Sequence, residues 1–92
     1  MRARFHTQCR VPVENYLRWE LGMATLIGKL PFVPPRGMSL QVTPNVPPFR
    51  VDEVRWSCAR ADEIEVFFLE PASPVEAPLS VDLQAEGWSV TV

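Results

Sequence analysis

The chain has 92 residues, of which 47% are hydrophobic and 22% are charged, and its formal net charge is -2. This composition is typical of a folded globular domain and excludes disorder over the whole chain. The small net charge excludes a global field that would attract nucleic-acid phosphates, so a nucleic-acid site would need a local basic patch. We expect residues 1–92 to form a single domain.

No apolar run reaches the roughly 18 residues that a membrane-spanning helix needs, and the first residues lack the apolar segment of a signal peptide. We therefore expect no membrane association and a cytoplasmic location. Cys9 and Cys58 are then expected to be reduced and buried rather than bonded to each other. Because the chain has one histidine and two cysteines, it offers too few ligands for a structural zinc site, and we expect neither a metal nor another cofactor.

Residues 2–11 alternate between apolar and polar side chains, which predicts a strand with one buried face. The strand is expected to end at Pro12. Its polar face could contact phosphate groups, which makes nucleic-acid binding one alternative function. Single-strand binders generally interleave exposed aromatic residues with their cations, and this face has none, so an ordinary charged edge strand is favoured. The basic side chains of this face are Arg2, Arg4, His6 and Arg10.

From Val13 to Leu30 the apolar residues recur with helical spacing, which predicts one amphipathic helix beginning just after Pro12. The apolar surface of this helix covers more than half of its circumference. A helix on the outside of a sheet needs only one apolar stripe. We therefore expect its second side to be covered by a curved sheet or by another subunit.

Glu20 lies near the middle of one apolar stripe of the predicted helix. A buried carboxylate must be paired, hydrogen-bonded or protonated. An ion pair with Arg55 or Arg50 is the ordinary outcome. The alternative is a small-molecule or catalytic pocket between helix and sheet, in which Glu20 anchors a polar or cationic ligand. Its neighbours in that pocket would be Arg55 and Trp56.

Residues 49–70 predict a β-hairpin with a turn near residues 59–62. The phase of the apolar residues shifts by one at Asp52–Glu53, which predicts a β-bulge there. The second arm, residues 64–69, is apolar on both faces, as is typical of a central strand covered on both sides. The other predicted strands are residues 38–43, 79–83 and 88–92.

The predicted order is β-α-β-β-β-β-β. This order indicates an α+β domain in which an antiparallel sheet of five or six strands packs on, or wraps around, one helix. The chain contains no nucleophile elbow, phosphate loop or dinucleotide-binding fingerprint. The sequence therefore predicts no catalytic residue and favours a protein that is not an enzyme.

The second apolar faces of the helix and of the hairpin predict an interface, because monomers rarely expose large apolar patches. The favoured function is a non-enzymatic interaction module that forms a homodimer or binds a protein partner. Small-molecule binding at Glu20 and nucleic-acid binding through the first strand are the alternatives. The residues predicted to lie in the interface are Trp19, Leu26, Phe67 and Leu69.

Overall fold

The structure, a computed structural model, describes residues 1–15, 17–57 and 60–92. Its six strands form one sheet in the order β3-β4-β5-β1-β2-β6. The fold is a small α+β domain with a mostly antiparallel sheet and one short helix, which confirms the predicted class, but the predicted order of elements is wrong. The elements are β1 (Arg2–Val13), β2 (Arg18–Lys29), β3 (Ser39–Leu40), β4 (Phe49–Ser57), β5 (Arg60–Phe68), a 3-10 turn (Pro74–Glu76), α1 (Ser80–Ala85) and β6 (Ser89–Thr91).

The first strand forms as predicted, with one buried and one more exposed face. It does not end at Pro12, however, but continues to Val13. Proline is tolerated because it lies near the end of the strand, where a missing backbone donor removes at most one ladder bond. The buried side chains of β1 are Ala3, Phe5, Thr7 and Cys9.

Residues 18–29 form a strand, not the predicted helix. β2 pairs with β1 in an antiparallel hairpin whose register runs from Arg2↔Lys29 to Val13↔Arg18. The turn of the hairpin uses Glu14 and Asn15, whose φ angles are positive, 52° and 55°. The apolar residues of this segment fit both a period of 3.6 and a period of 2, so pattern alone does not decide between helix and strand. Antiparallel pairing with β1, a strand of equal length, selects the strand over the helix, because tertiary pairing overrides local propensity.

The predicted hairpin of β4 and β5 is present, and so is its bulge. The register passes from Val51↔Phe68 to Glu53↔Phe67, which leaves Asp52 as the extra residue of β4. The predicted turn falls partly on residues outside the described ranges. β5 lies between β4 and β1, as expected for a central strand, but it runs parallel to β1, so the sheet is not antiparallel throughout.

The C-terminal part contains the helix, where the sequence predicted a strand over residues 79–83. α1 is terminated by Gly87, whose φ is +94°. The Gly87 amide donates to the carbonyl of Gln84, and the Trp88 amide donates to the carbonyl of Leu83, each at 3.1 Å. This left-handed glycine cap is a common helix end. The predicted strand over residues 88–92 is confirmed as β6, which pairs with β2, whereas the one predicted over residues 38–43 is reduced to β3.

The core lies on one side of the sheet, between the strands, α1 and the loop that precedes β4. The opposite side of the sheet is called the open face below. None of the described helices is long and apolar enough to cross a membrane. The core residues are Ala3, Phe5, Cys9, Ala24, Val46, Val51, Ile64, Val66, Phe68, Leu83 and Trp88.

Candidate interaction surface on the open sheet face

The open face is formed by the side chains that alternate with the buried ones along each strand. On β1 these include His6 and Gln8. The antiparallel register places Thr25 opposite His6 and Met23 opposite Gln8. Because directly opposite residues point to the same side of a sheet, the odd-numbered residues of β2 share the open face with the polar set of β1.

Large apolar side chains follow β2 along the open face, and we call this row the apolar stripe. The core side of the same strand carries the small residues Gly22, Ala24 and Gly28. The stripe runs about 27 Å along the strand at the usual rise per residue. Exposed apolar rows of this extent are characteristic of binding surfaces. Its members, with their exposed fractions, are Trp19 (43%), Leu21 (49%), Met23 (38%) and Ile27 (49%).

His6 lies at the centre of the open face and is held on three sides. Its ring stacks on Phe67, with centroids 4.6 Å apart and 13° between the planes. Its Nε2 lies 3.1 Å from the Glu65 carboxylate, and its Nδ1 lies 3.3 Å from the Thr25 hydroxyl. A carboxylate can only accept, so Nε2 carries the proton and donates to Glu65. These contacts give His6 a structural role that joins β1, β2 and β5.

The β4 side of the open face is ionic rather than apolar. Arg55 donates to both carboxylate oxygens of Glu53, each at 3.0 Å. This hydrogen bonding holds the pKa of Glu53 below its ordinary value, and it raises the pKa of Arg55. The Arg55 guanidinium also lies 4.4 Å from the centroid of Phe67. Within the described residues, Phe67 is therefore covered by the side chains of His6 and Arg55.

The predicted pocket residues are not brought together. Glu20 is exposed on β2, so its predicted burial is wrong, because that prediction depended on the helix. Arg55 and Trp56 lie on β4, separated from β2 by β5 and β1. Arg55 is paired with Glu53, and the side chain of Trp56 is 58% exposed.

The four predicted interface residues also occupy different surroundings. Trp19 belongs to the apolar stripe. Leu26 lies on the other face of the same strand, opposite Phe5, where it packs against the core. Phe67 is half-buried under ionic side chains, and Leu69 is 45% exposed just beyond β5. The residues that sequence reasoning missed are Leu21, Met23 and Ile27, and the alternation of large and small residues along β2 was the signal that could have found them.

The predicted basic face is largely engaged with other groups. Arg4 lies 3.4 Å from the Glu63 carboxylate, and His6 is held by Glu65. Arg10 donates from Nε to the carbonyl of Ala77 at 2.9 Å, and its guanidinium lies 5.2 Å from the Trp19 ring centroid. Arg2 is exposed. These contacts weigh against phosphate binding, because carboxylates of β5 neutralise the centre of the row.

A cleft of about 400 Å³ lies between the loop before β4 and helix α1. Arg10 lines one side of it, while Glu76 and Asp82 line the helix side. Phe49 and Leu83 contribute apolar lining. Glu20 does not line this cleft. The cleft is therefore not the pocket that the sequence predicted.

Cys9 is a free thiol and is fully buried. Burial raises the pKa of this thiol, and a hydrogen bond with the backbone of Gly22 offsets the increase only in part. A thiol in this state is a poor nucleophile. Cys58 lies outside the described residues. Within the described ranges, no group of three or more His, Cys, Asp and Glu side chains is arranged to hold a metal ion.

Comparison of this chain with protein-family models, with curated proteins and with solved structures finds no match. The geometry of the open face is therefore the basis on which a function can be proposed.

Proposed function

We propose that this chain is a non-enzymatic interaction module that associates with a second copy of itself through β2 and its apolar stripe. The observation that carries the proposal is the exposure of the stripe, between 38% and 49% for each member. These side chains lie on the sheet face away from the helix. Their transfer out of water would be favourable by about 25 cal/mol for each Å² of apolar surface buried.

The charge of the chain also supports association between copies. A formal net charge of -2 gives only weak repulsion between two identical molecules, since net charge near zero promotes association. The charged groups of the open face are mostly paired within the chain, as Arg55 is with Glu53 and Arg4 with Glu63. Because these groups are already paired within the chain, association along the stripe leaves few unpaired charges to desolvate.

The proposal is tested by sedimentation of the unmodified chain and of Leu21→Ser over a concentration series. We expect the unmodified chain to associate reversibly, and the substitution to weaken association, because it removes a large apolar side chain from the stripe. Val75→Ser is the matched control, since Val75 is an apolar residue, 73% exposed, outside the stripe.

Equal association of all three chains would show that the interface does not include the stripe. A monomeric unmodified chain at every concentration would refute the proposal outright.

A further inference from the structure

The hairpin of β1 and β2 projects beyond the strands on either side of it. β5 pairs with β1 only as far as His6, and β6 pairs with β2 only from Met23 to Thr25. A single bridge to Leu79 reaches Arg10. We call the projecting part, residues 11–15 and 17–21, the hairpin arm.

The shape of the molecule reflects this projection. The radius of gyration is 13.5 Å and the longest dimension is 43 Å, against 23 Å for the other two. A compact chain of this length would have a radius of about 12 Å. Two-stranded hairpins are at best marginally stable in water, whereas a third strand makes such a unit stable. The arm is therefore the part of the sheet that gains most from an added strand.

We propose that two copies pair their β2 strands antiparallel along the arm, about a twofold axis at Trp19. This inference rests on the proposed function and specifies how the copies meet, at the Trp19 end of the stripe, with Met23 and Ile27 outside the paired residues. Within the described chain, the only strand on the outer side of β2 is β6, whose pairing with β2 begins at Met23. The outer edge of β2 from Arg18 to Leu21, together with Leu17 at the end of the turn, is thus long enough for a five-residue pairing.

The side chains of the arm complement themselves in this register. Trp19 faces Trp19 of the second copy, Arg18 faces its Glu20, and Leu17 faces its Leu21. Opposite charges and aromatic or aliphatic pairs directly across antiparallel strands are stabilising. A shift of the axis by one residue would set Arg18 against Arg18, or Glu20 against Glu20, and like charges directly opposite are destabilising. The charge pattern therefore favours one register.

The two faces of the joined sheet remain consistent with this pairing. Trp19 and Leu21, which are 43% and 49% exposed, lie on the open face, so the ends of the two apolar stripes adjoin across the axis. Arg18 and Glu20 lie on the opposite face beside Val13 and Val11, their register partners on β1. An interface of this length belongs to the small, reversible class.

The register is tested by charge reversal followed by mixing. Arg18→Glu alone sets the new carboxylate against Glu20 of the other copy, and Glu20→Arg alone sets the new guanidinium against Arg18 of the other copy. We expect each single variant to weaken self-association about tenfold, from two pairs changed from attraction to repulsion. An equimolar mixture of the two variants restores both opposite-charge pairs, so we expect heterodimers with about the affinity of the unmodified chain.

A second contact must be controlled, because Arg18 also pairs with Glu14 of its own turn at 3.0 Å. Glu14→Gln removes that pair without changing the proposed interface, and we expect its association to match that of the unmodified chain. If Arg18→Glu weakened association only because the Arg18–Glu14 pair of the turn was lost, the weakening would persist in the mixture. Recovery of association on mixing therefore reports contact between the copies.

Oxidative cross-linking locates the axis independently. In a Cys58→Ser chain, Trp19→Cys should form a disulfide between copies, because directly opposite Cβ atoms lie about 4.5–5.5 Å apart. Ile27→Cys is the control on the same stripe, and in this register its two copies would lie about 50 Å apart. Selective cross-linking at position 19 supports the register, and equal cross-linking at both positions overturns it.

The outcomes separate this inference from the proposed function. If the unmodified chain associates but mixing restores nothing, the register is wrong, and the effect of Leu21→Ser alone decides whether association runs through the stripe. If the unmodified chain does not associate, both the register and the proposed function are refuted.

Discussion

Gly22 lies in the middle of β2, where a side chain would have no room. A Cβ atom built at this position lies 2.7 Å from the backbone oxygen of Thr91 and 2.8 Å from Cγ2 of Val11. The first contact is with the backbone of β6 and the second with a β-branched side chain, so neither can give way easily. Gly22→Ala should therefore destabilise the protein.

The size and sign of this effect follow from two opposing terms. Overpacking of this kind costs about 1–3 kcal/mol. Replacing glycine by alanine within a strand recovers about 0.5–1 kcal/mol of backbone entropy. We expect the free energy of unfolding to fall by about 1–2 kcal/mol, and the melting temperature to fall by about 4–8 °C for each kcal/mol. On an exposed helix the same substitution would instead stabilise by about 1 kcal/mol.

Urea unfolding of both chains measures this difference, provided that the dependence on urea is the same for each. Gly28→Ala is the matched control, because the nearest atom to its added Cβ is Cε2 of the Phe5 ring at 3.2 Å. A ring can shift by a few tenths of an ångström, so we expect a change smaller than that of Gly22→Ala. A Gly22→Ala chain at least as stable as the unmodified one would refute the reasoning and the strand assignment with it.

Three further predictions concern the core and the charged groups. Ile64→Val should lower the free energy of unfolding by about 0.5–1.5 kcal/mol in the same assay, because Ile64 is fully buried; no loss would contradict its place in the core. In a Cys58→Ser chain, Cys9 should react with a thiol reagent at neutral pH only after unfolding, since burial raises its pKa, and rapid native reaction would contradict this. Arg55→Gln should raise the pKa of Glu53 toward its ordinary value in an NMR titration, because the hydrogen bond from Arg55 lowers it. The Glu53 carboxylate contributes stability above its unfolded pKa, and this contribution is lost as the pH falls through its folded pKa, so the substitution should reduce the loss of stability at acid pH. An unchanged midpoint of the Glu53 titration would exclude the pairing.

The strands whose pattern admits one interpretation could be predicted from the sequence. β1 alternates strictly, and the bulge at Asp52 follows from the slip in phase between Val51 and Val54. The β1–β2 hairpin could not be predicted in the same way, because its apolar residues fit both periods. Its turn also carries positive φ at Glu14 as well as at Asn15, and glutamate gives little local signal for that conformation.

The candidate surface was only partly predictable for the same reason. Trp19 could be identified because it lies on the second apolar face of the predicted helix and also on the open face of the observed strand. Leu21, Met23 and Ile27 join it only if side chains alternate every two residues. Glu20 was the most informative residue on a helical wheel, yet on a strand it lies at the exposed end of the core face. Because the helical period was assigned to a segment that forms β2, the pocket predicted around Glu20 was wrong.

The central claim, self-association through the hairpin arm, is tested most directly by amide hydrogen exchange, measured residue by residue in dilute and in concentrated solution. Pairing of β2 with a second copy would bury the outward-pointing backbone amides between Leu17 and Leu21. We predict that these amides exchange more slowly as concentration rises, while the amides of α1 do not change. Exchange at the arm that is independent of concentration would contradict the claim.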